Sequence, residues 1–377
     1  MVHFYKRYCS EHVIIPGGVG LAPGTFHTML VKPDGSVWAS GQNSFGQLGI
    51  SPSLAGSKSF VRVIESGATA AAIGAEHSIV MKADGRVGVT GKNAKGQLGD
   101  GSYTDKDTFV FMQVTGGAKA VAAGSSHSIV LTQEGRVWAT GWNKRGQLGD
   151  AAKSDRSNFF RVISFGVNAV AAGDVHSIVL RQDGSVCAAG RNYNGQLGDG
   201  SMVDKTSFVK VISGGVTDIA AGGYHSMVLK EHGSVWATGW NRYGQLGDGS
   251  TQDRYDYMLV VSSGAKAIDA GSRHSLMLKQ DGSVWATGYN LQGQLGSGLT
   301  GNILVFVRVI FDGVAGIAAG GFHSMITKQD GSIWATGSNQ YGQFGDGSTK
   351  SESRFVRITP FGNGACHDAT THKVTYI

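Results

Sequence analysis

Short apolar runs alternate with polar residues along almost the whole chain. In "HSIVLTQEGRVWATG", residues 127–141, two such runs flank an acidic residue and a glycine. Runs of this length, rich in β-formers and broken by turn residues, predict two short strands in a hairpin. The acidic–Gly pair recurs as Asp34-Gly35, Asp84-Gly85, Glu134-Gly135, Asp183-Gly184, Asp281-Gly282 and Asp330-Gly331, with His232-Gly233 in the fifth copy. Such a pair is expected to supply the φ > 0 residues of a tight turn. A polar loop, a run such as "FVRVI" and a run such as "AVAAG" follow each hairpin. That predicts about four strands per unit, and no window shows a convincing helical period.

The unit has a fixed length. Its histidine falls at His27, His77, His127, His176, His225, His274 and His323, with a last copy at His372, so every step is 49 or 50 residues. An asparagine recurs at Asn43, Asn93, Asn143, Asn192, Asn241, Asn290 and Asn339, and four residues on stands a glutamine, from Gln47 to Gln343. Four strands in about 49 residues, seven times over, fit the blade of an all-β, seven-bladed β-propeller. A β-solenoid is the rival, but its coils have shorter periods. The predicted organisation is one domain: an N-terminal extension over 1–10, a partial repeat over 11–26, seven repeats over 27–371 and a closing strand over 372–377. The spare half-copies at the two ends suffice for a terminal strand to complete the last blade.

Composition narrows the function classes. The 59 glycines beside only 5 prolines serve turns rather than a collagen-like period. The net charge of +6 is scattered along the chain, without the clustered patch of a nucleic-acid footprint, so direct nucleic-acid binding is not expected. No apolar run reaches the length of a membrane span, and the N-terminus lacks signal-peptide features. The expected location is therefore cytoplasmic or nuclear. Cys9, Cys187 and Cys366 are too few for a disulfide framework. Free cysteines are expected, with a Cys9–Cys366 bond across the closing ends as the alternative.

The repeated polar residues read as scaffold. Histidines one blade apart fan around an axis and cannot converge on a metal, so each is expected to bond groups of its own or the adjacent blade. The Asn and Gln amides suit a glycine-rich connection whose backbone needs partners. Asp100/Asp105, Asp199/Asp204 and Asp248/Asp253 span a short loop, but not at calcium-loop spacing, and read as turn caps. Trp38, Trp138, Trp236, Trp285 and Trp334 share one strand position, replaced by Gly88 and Cys187, and read as packing between blades. No nucleophile–base pair, phosphate loop or metal-spaced Cys/His cluster is present; neither an enzyme, a cofactor nor a metal is expected.

The consensus "AAGxxHSxxLxxDGxVWATGxNxxGQLGDGS" resembles the repeat of the regulator of chromosome condensation family of seven-bladed propellers, from about residue 11 onward. The resemblance implies the fold but several unrelated roles. The founding member is a nucleotide exchange factor for the Ran GTPase, with a basic N-terminal tail and a wedge-like insertion in one blade. This chain has neither, its spacings being even. The plant UV-B photoreceptor carries tryptophan–arginine pairs before the histidine; here no Trp occurs there and only Arg273 matches. A bacterial β-lactamase inhibitor shares the propeller but lacks the "GQLGDGS" regularity.

In a repeat protein, residues that differ at matched positions make the surface chemistry. Three such positions stand out: the pair before each His, the residue before each Asn, and the pair after it. They contribute Phe26, Tyr224, Arg273 and Phe322; Trp142, Trp240 and Tyr289 (where other units have Gln42, Lys92, Arg191 and Ser338); and Lys144, Arg145, Tyr193, Arg242, Tyr243 and Tyr341. Tyr, Trp and Arg are interface anchors. The leading expectation is a non-catalytic platform that binds a protein partner through one loop face. The alternatives are an exchange factor for a Ran-like small GTPase and a structural subunit of a larger assembly. Oligomeric state is not legible.

Overall fold

The computed structural model describes residues 18–50 and 55–359. Residues 1–10, the closing strand at 372–377, His372, Cys9 and Cys366 lie outside that range. The described residues form seven antiparallel four-stranded sheets, with one 3-10 turn at Glu231–Gly233 as the sole helical element. The architecture is the predicted seven-bladed propeller. Blade 1 comprises Gly20–Pro23, His27–Val31, Val37–Gln42 and Gly56–Ile64, and blade 7 comprises Val314–Ala319, His323–Lys328, Ile333–Gly337 and Glu352–Ile358. The inner strands of blades 2 to 6 are Ala68–Ile73, Ala118–Ala123, Val167–Ala172, Val216–Ala221 and Ala265–Ala270.

Blade and sequence unit are offset by one strand. A unit counted from its histidine gives three strands to one blade and the inner strand to the next. The partial repeat at the N-terminal end thus supplies the inner strand of blade 1, and blade 7 receives its outer strand from Glu352–Ile358. No described blade borrows a strand from the other end of the chain. The closing seam repeats the contacts of the other seams: Gly321 N–H donates to Gly24 O at 2.9 Å and Gly347 N–H to Lys58 O at 2.9 Å.

The core is divided among the seams between blades. Ile79, Val87 and Leu98 of blade 2 pack with Val121 and Val130 of blade 3, and Leu21 and Leu30 of blade 1 with Met325 and Phe344 of blade 7. The strand tryptophans close these seams from outside: Trp138 packs against the blade 2 cluster and Trp334 against blade 6. Lysines lie over four of them, 4.1–4.6 Å from the ring centres of Trp38, Trp236, Trp285 and Trp334. In blade 2, where Gly88 replaces Trp, Phe111 of the outer strand occupies the space and Lys82 lies over it at 5.4 Å. The aromatic is kept in space though it is lost from the repeat position.

The hairpin turns differ from expectation. Only the glycine of each acidic–Gly pair has positive φ, for example Gly35 at 77° and Gly85 at 81°. The acid instead caps the turn: Asp34 Oδ1 accepts from Ser36 N–H at 2.8 Å, and Asp183, Asp281 and Asp330 repeat the bond at 2.9 Å. An acidic side chain two residues before a free N–H can make this Asx bond, so it need not adopt the costly left-handed conformation. Only the fifth copy, which lacks the acid, has both residues left-handed, with His232 at 65°.

Candidate functional site

The histidines, asparagines and glutamines bond within the scaffold, although the His Nδ1 atoms and five of the Gln Nε2 groups have no partner among the described residues. His77 of blade 2 meets Ser128 Oγ of blade 3 through Nε2 at 2.9 Å, while Ser128 Oγ–H donates to Gln97 O at 2.7 Å. Serine has one proton, so the imidazole must be the Nε2–H tautomer. The arrangement runs round the ring and closes where His323 Nε2 meets Thr28 Oγ1 at 3.0 Å. All seven rings are fully buried, and burial lowers their pKa to about 3 or 4. Each stays neutral and structural. Beside His77, Gly74 has no room for a side chain, since a Cβ there would collide with the His77 ring and Gly124 O.

The loop acids are equally occupied. Asn93 Nδ2 donates to Asp100 Oδ1 at 3.0 Å, Asn93 N–H to Asp105 Oδ1 at 2.7 Å, and Gln97 Oε1 accepts from Lys95 N–H at 2.9 Å. The outer carboxylate oxygen of Asp100 faces Lys106 at 3.3 Å, and that of Asp248 faces Arg254 at 2.6 Å. Among the described residues no group of three or more His, Cys, Asp or Glu is placed to hold a metal ion.

The variable residues meet on one face. Each strand pair that leaves the inner strand returns the third strand to the same end of the blade. There the residue before the Asn donates its N–H to the carbonyl of the residue before the His, as Trp240 does to Tyr224 and Tyr289 to Arg273, both at 2.9 Å. All three variable positions therefore lie on the face where the axial channel opens, a funnel walled by backbone of Gly74, Gly124, Gly173, Gly222, Gly271 and Gly320, with the first residue of each pair before the His at its mouth. The acidic–Gly turns lie on the opposite face.

On the loop face, rings from successive blades form an arc. Tyr224 meets Trp240 at 5.7 Å, Trp240 meets Tyr243 at 5.2 Å, Tyr243 meets Tyr289 at 5.0 Å and Tyr289 meets Phe322 at 6.4 Å. Phe26 continues it, 6.2 Å from Phe322 and 5.3 Å from Tyr341. The pairs are mostly edge-to-face, the geometry favoured by ring quadrupoles. Arg273 sits in the arc, 5.6–5.9 Å from the centres of Trp240, Tyr243, Tyr289 and Phe322. Eight of the sequence-chosen residues thus touch in a chain. Tyr193 joins through Arg191, which lies 5.9 Å from its ring centre and 5.4 Å from that of Tyr224.

Trp142, Lys144, Arg145 and Arg242 stand outside the arc. Lys144, Arg145 and Arg242 are exposed, Trp142 is half-buried, and Arg145 reaches Asp204 of the next blade at 3.5 Å. Two residues of the site escaped selection. Arg191 is the residue before Asn192, and the variation at that position was the available signal. Asp174, half-buried at the channel mouth, has its carboxyl pushed up to about 6 by burial against the opposing pull of Arg273; its place in the pair before His176 was the available signal.

The regulator of chromosome condensation (RCC1) repeat pattern matches residues 118–147, 167–196, 216–245, 265–294 and 314–343, and a second pattern of the same description matches 183–229 and 232–278. The chain belongs to the RCC1 repeat family. No curated protein sequence matches this RCC1-repeat chain at a significant level. Solved structures that resemble it include human WBSCR16, 24% identical with a TM-score of 0.78, covering 86% of this chain and 94% of that one. Yeast RCC1 (Prp20) bound to Kap60 is 19% identical with a TM-score of 0.78, covering 94% and 86%. Prp20p of Saccharomyces cerevisiae, described with its binding to Gsp1p and histones, is 20% identical with a TM-score of 0.77, covering 91% and 87%. At these identities the likeness shows the fold.

Proposed function

We propose that this RCC1-repeat propeller is a non-catalytic platform that binds a protein partner through its loop face. The observation that carries the reading is the continuous arc from Tyr224 to Phe26, built from positions where the repeat is otherwise free to vary. Packed, half-buried Tyr, Trp and Phe around an arginine are the composition of an interface hot spot. The seven-seam scaffold holds these side chains in place before the partner arrives, which lowers the ordering cost of association. Related propeller structures are described with protein ligands: Kap60, Gsp1p and histones for the yeast protein.

The test is capture of partners from the source cells with the immobilised chain and with Y243A/Y289A. A stoichiometric protein held by the parent and lost by the variant is expected. A partner held equally by both contradicts the reading. The exchange-factor alternative draws on the family resemblance, and a nucleotide-release assay with Ran separates it. Accelerated release would replace the platform by an exchange factor.

A further inference from the structure

The half-buried cations of the loop face fall into two groups. Lys92, Lys106, Arg156, Lys205 and Arg254 are half-buried, and each holds an acid: Glu76 at 2.5 Å, Asp100 at 3.3 Å, Asp150 at 2.5 Å, Asp199 at 3.1 Å and Asp248 at 2.6 Å. Arg191 and Arg273 are equally half-buried and hold none among the described residues. Their guanidinium groups lie over rings, and Arg191 Nε is buried without an acceptor among the described residues. Asp174 is near enough to Arg273 to be influenced by its charge, yet the two make no ion pair. Tyr224 and Trp240, in contact at 5.7 Å, link the two arginines into one surface.

We infer that Arg191 and Arg273 form the acceptor site for carboxylates of the partner, and that the partner presents an acidic segment with interspersed apolar side chains. This inference rests on the loop-face reading and specifies the partner's chemistry. Half-burying a guanidinium without an acceptor costs hydration that rings only partly return. A carboxylate restores it through the paired N–H groups of the arginine fork. The adjoining Trp240, Tyr243, Tyr289 and Phe322 then cover apolar side chains of the same segment. A polynucleotide fits less well, because its affinity comes from neutralising many successive phosphates, whereas the other half-buried cations of this face are already paired with acids and only these two arginines are not.

The probe is a fluorescein-labelled peptide of alternating Glu with Phe and Leu, compared with its Gln counterpart and a labelled oligothymidylate, on the full chain. The Glu peptide is expected to bind the parent, and R191Q/R273Q to weaken it about ten-fold or more. The Gln peptide is expected to bind the parent as weakly as the variant binds the Glu peptide. R273K, which keeps the charge but not the fork, should fall between, and a melting curve checks that each variant is folded. Equal Glu-peptide affinity in parent and folded R191Q/R273Q overturns the proposal. So does tighter binding of the oligothymidylate, or parent dimers that dissociate in R191Q/R273Q, which would assign the site to a nucleic acid or to a second copy. If R191Q/R273Q keeps the cellular partner that Y243A/Y289A loses, the loop-face reading stands and the acidic-segment proposal alone falls.

Discussion

Two halves of the loop face rest on the same frame and carry opposite surfaces. Across blades 5, 6, 7 and 1 the rings of Tyr224, Trp240, Tyr243, Tyr289, Phe322 and Phe26 touch in series around Arg273. Across blades 2 and 3 the matched positions hold Glu76, Lys92, Lys95, Lys144 and Arg145, and the contacts are ion pairs such as Lys92–Glu76. The frame beneath does not register the difference: His127 meets Ser177 at 2.9 Å in the charged half and His274 meets Ser324 at 2.8 Å in the aromatic half. The frame thus repeats round the ring, while on the proposed reading binding is concentrated in the aromatic half. Partly exposed ion pairs contribute roughly 0–1 kcal/mol, so on that reading the charged half tolerates change and the aromatic half is the anchor.

The largest effect on this picture comes from acid, which strikes the frame in both halves at once. The seven histidines have folded pKa values near 3 or 4, against 6.5 when unfolded. Below pH 6.5 the unfolded chain takes up protons that the folded chain refuses, so their contribution is full above that pH and is lost as pH falls toward 3. Each histidine costs on the order of 1.4 kcal/mol per pH unit in that window. Asp174 and Asp218, raised to about 6 and about 8 chiefly by burial, act in the opposite sense, favouring the folded state below their raised values. They are two against seven, so melting temperature should drop steeply between pH 6 and pH 4. A melting temperature level across that range would remove the histidine ring from the account.

Single substitutions in the frame come next. H127A and H274A should each cost about 3 kcal/mol by opening a cavity and removing the donor to a buried serine oxygen, and to a similar degree. Denaturant titration of the two variants checks this; a frame that mattered only under the aromatic half would spare H127A. The face should behave the other way. Y243A/Y289A should weaken the partner about a hundred-fold, roughly 2.7 kcal/mol, and K95A/K144A less than about three-fold, as read by titration calorimetry with the captured partner. The smallest change lies in the charged half. Ala151 has φ 64°, where Gly101, Gly200 and Gly249 stand in other blades, all left-handed. A151G relieves a left-handed alanine at some cost in chain entropy and should gain about 0.5 kcal/mol, measured by denaturant midpoint, without altering affinity.

The frame was legible because its residues repeat with a fixed period: seven copies of His, Asn and Gln reported their own structural role. The turn geometry was misread, since the Asp–Gly pair alone does not distinguish a left-handed Asp from one that caps the next N–H. The Phe111 substitution for a missing tryptophan was invisible because the compensating ring comes from another strand. That the variable positions share one face was legible from the matched positions, but how their side chains meet was not. Neighbourhood around a ring depends on blade order and side-chain reach, and so Arg191 and Asp174 were found only when Tyr193, Tyr224 and Arg273 were seen beside them.

The claim that the aromatic half of the loop face is the binding surface is tested most directly by hydroxyl-radical footprinting of the chain alone and with its captured partner. Protection is predicted at Trp240, Tyr243, Tyr289 and Phe322. Trp142 on the charged half, and Phe165 and Phe311, 72% and 69% exposed on the opposite face, should keep their reactivity. Protection of Phe165 and Phe311 with Tyr243 and Tyr289 unchanged would contradict the account.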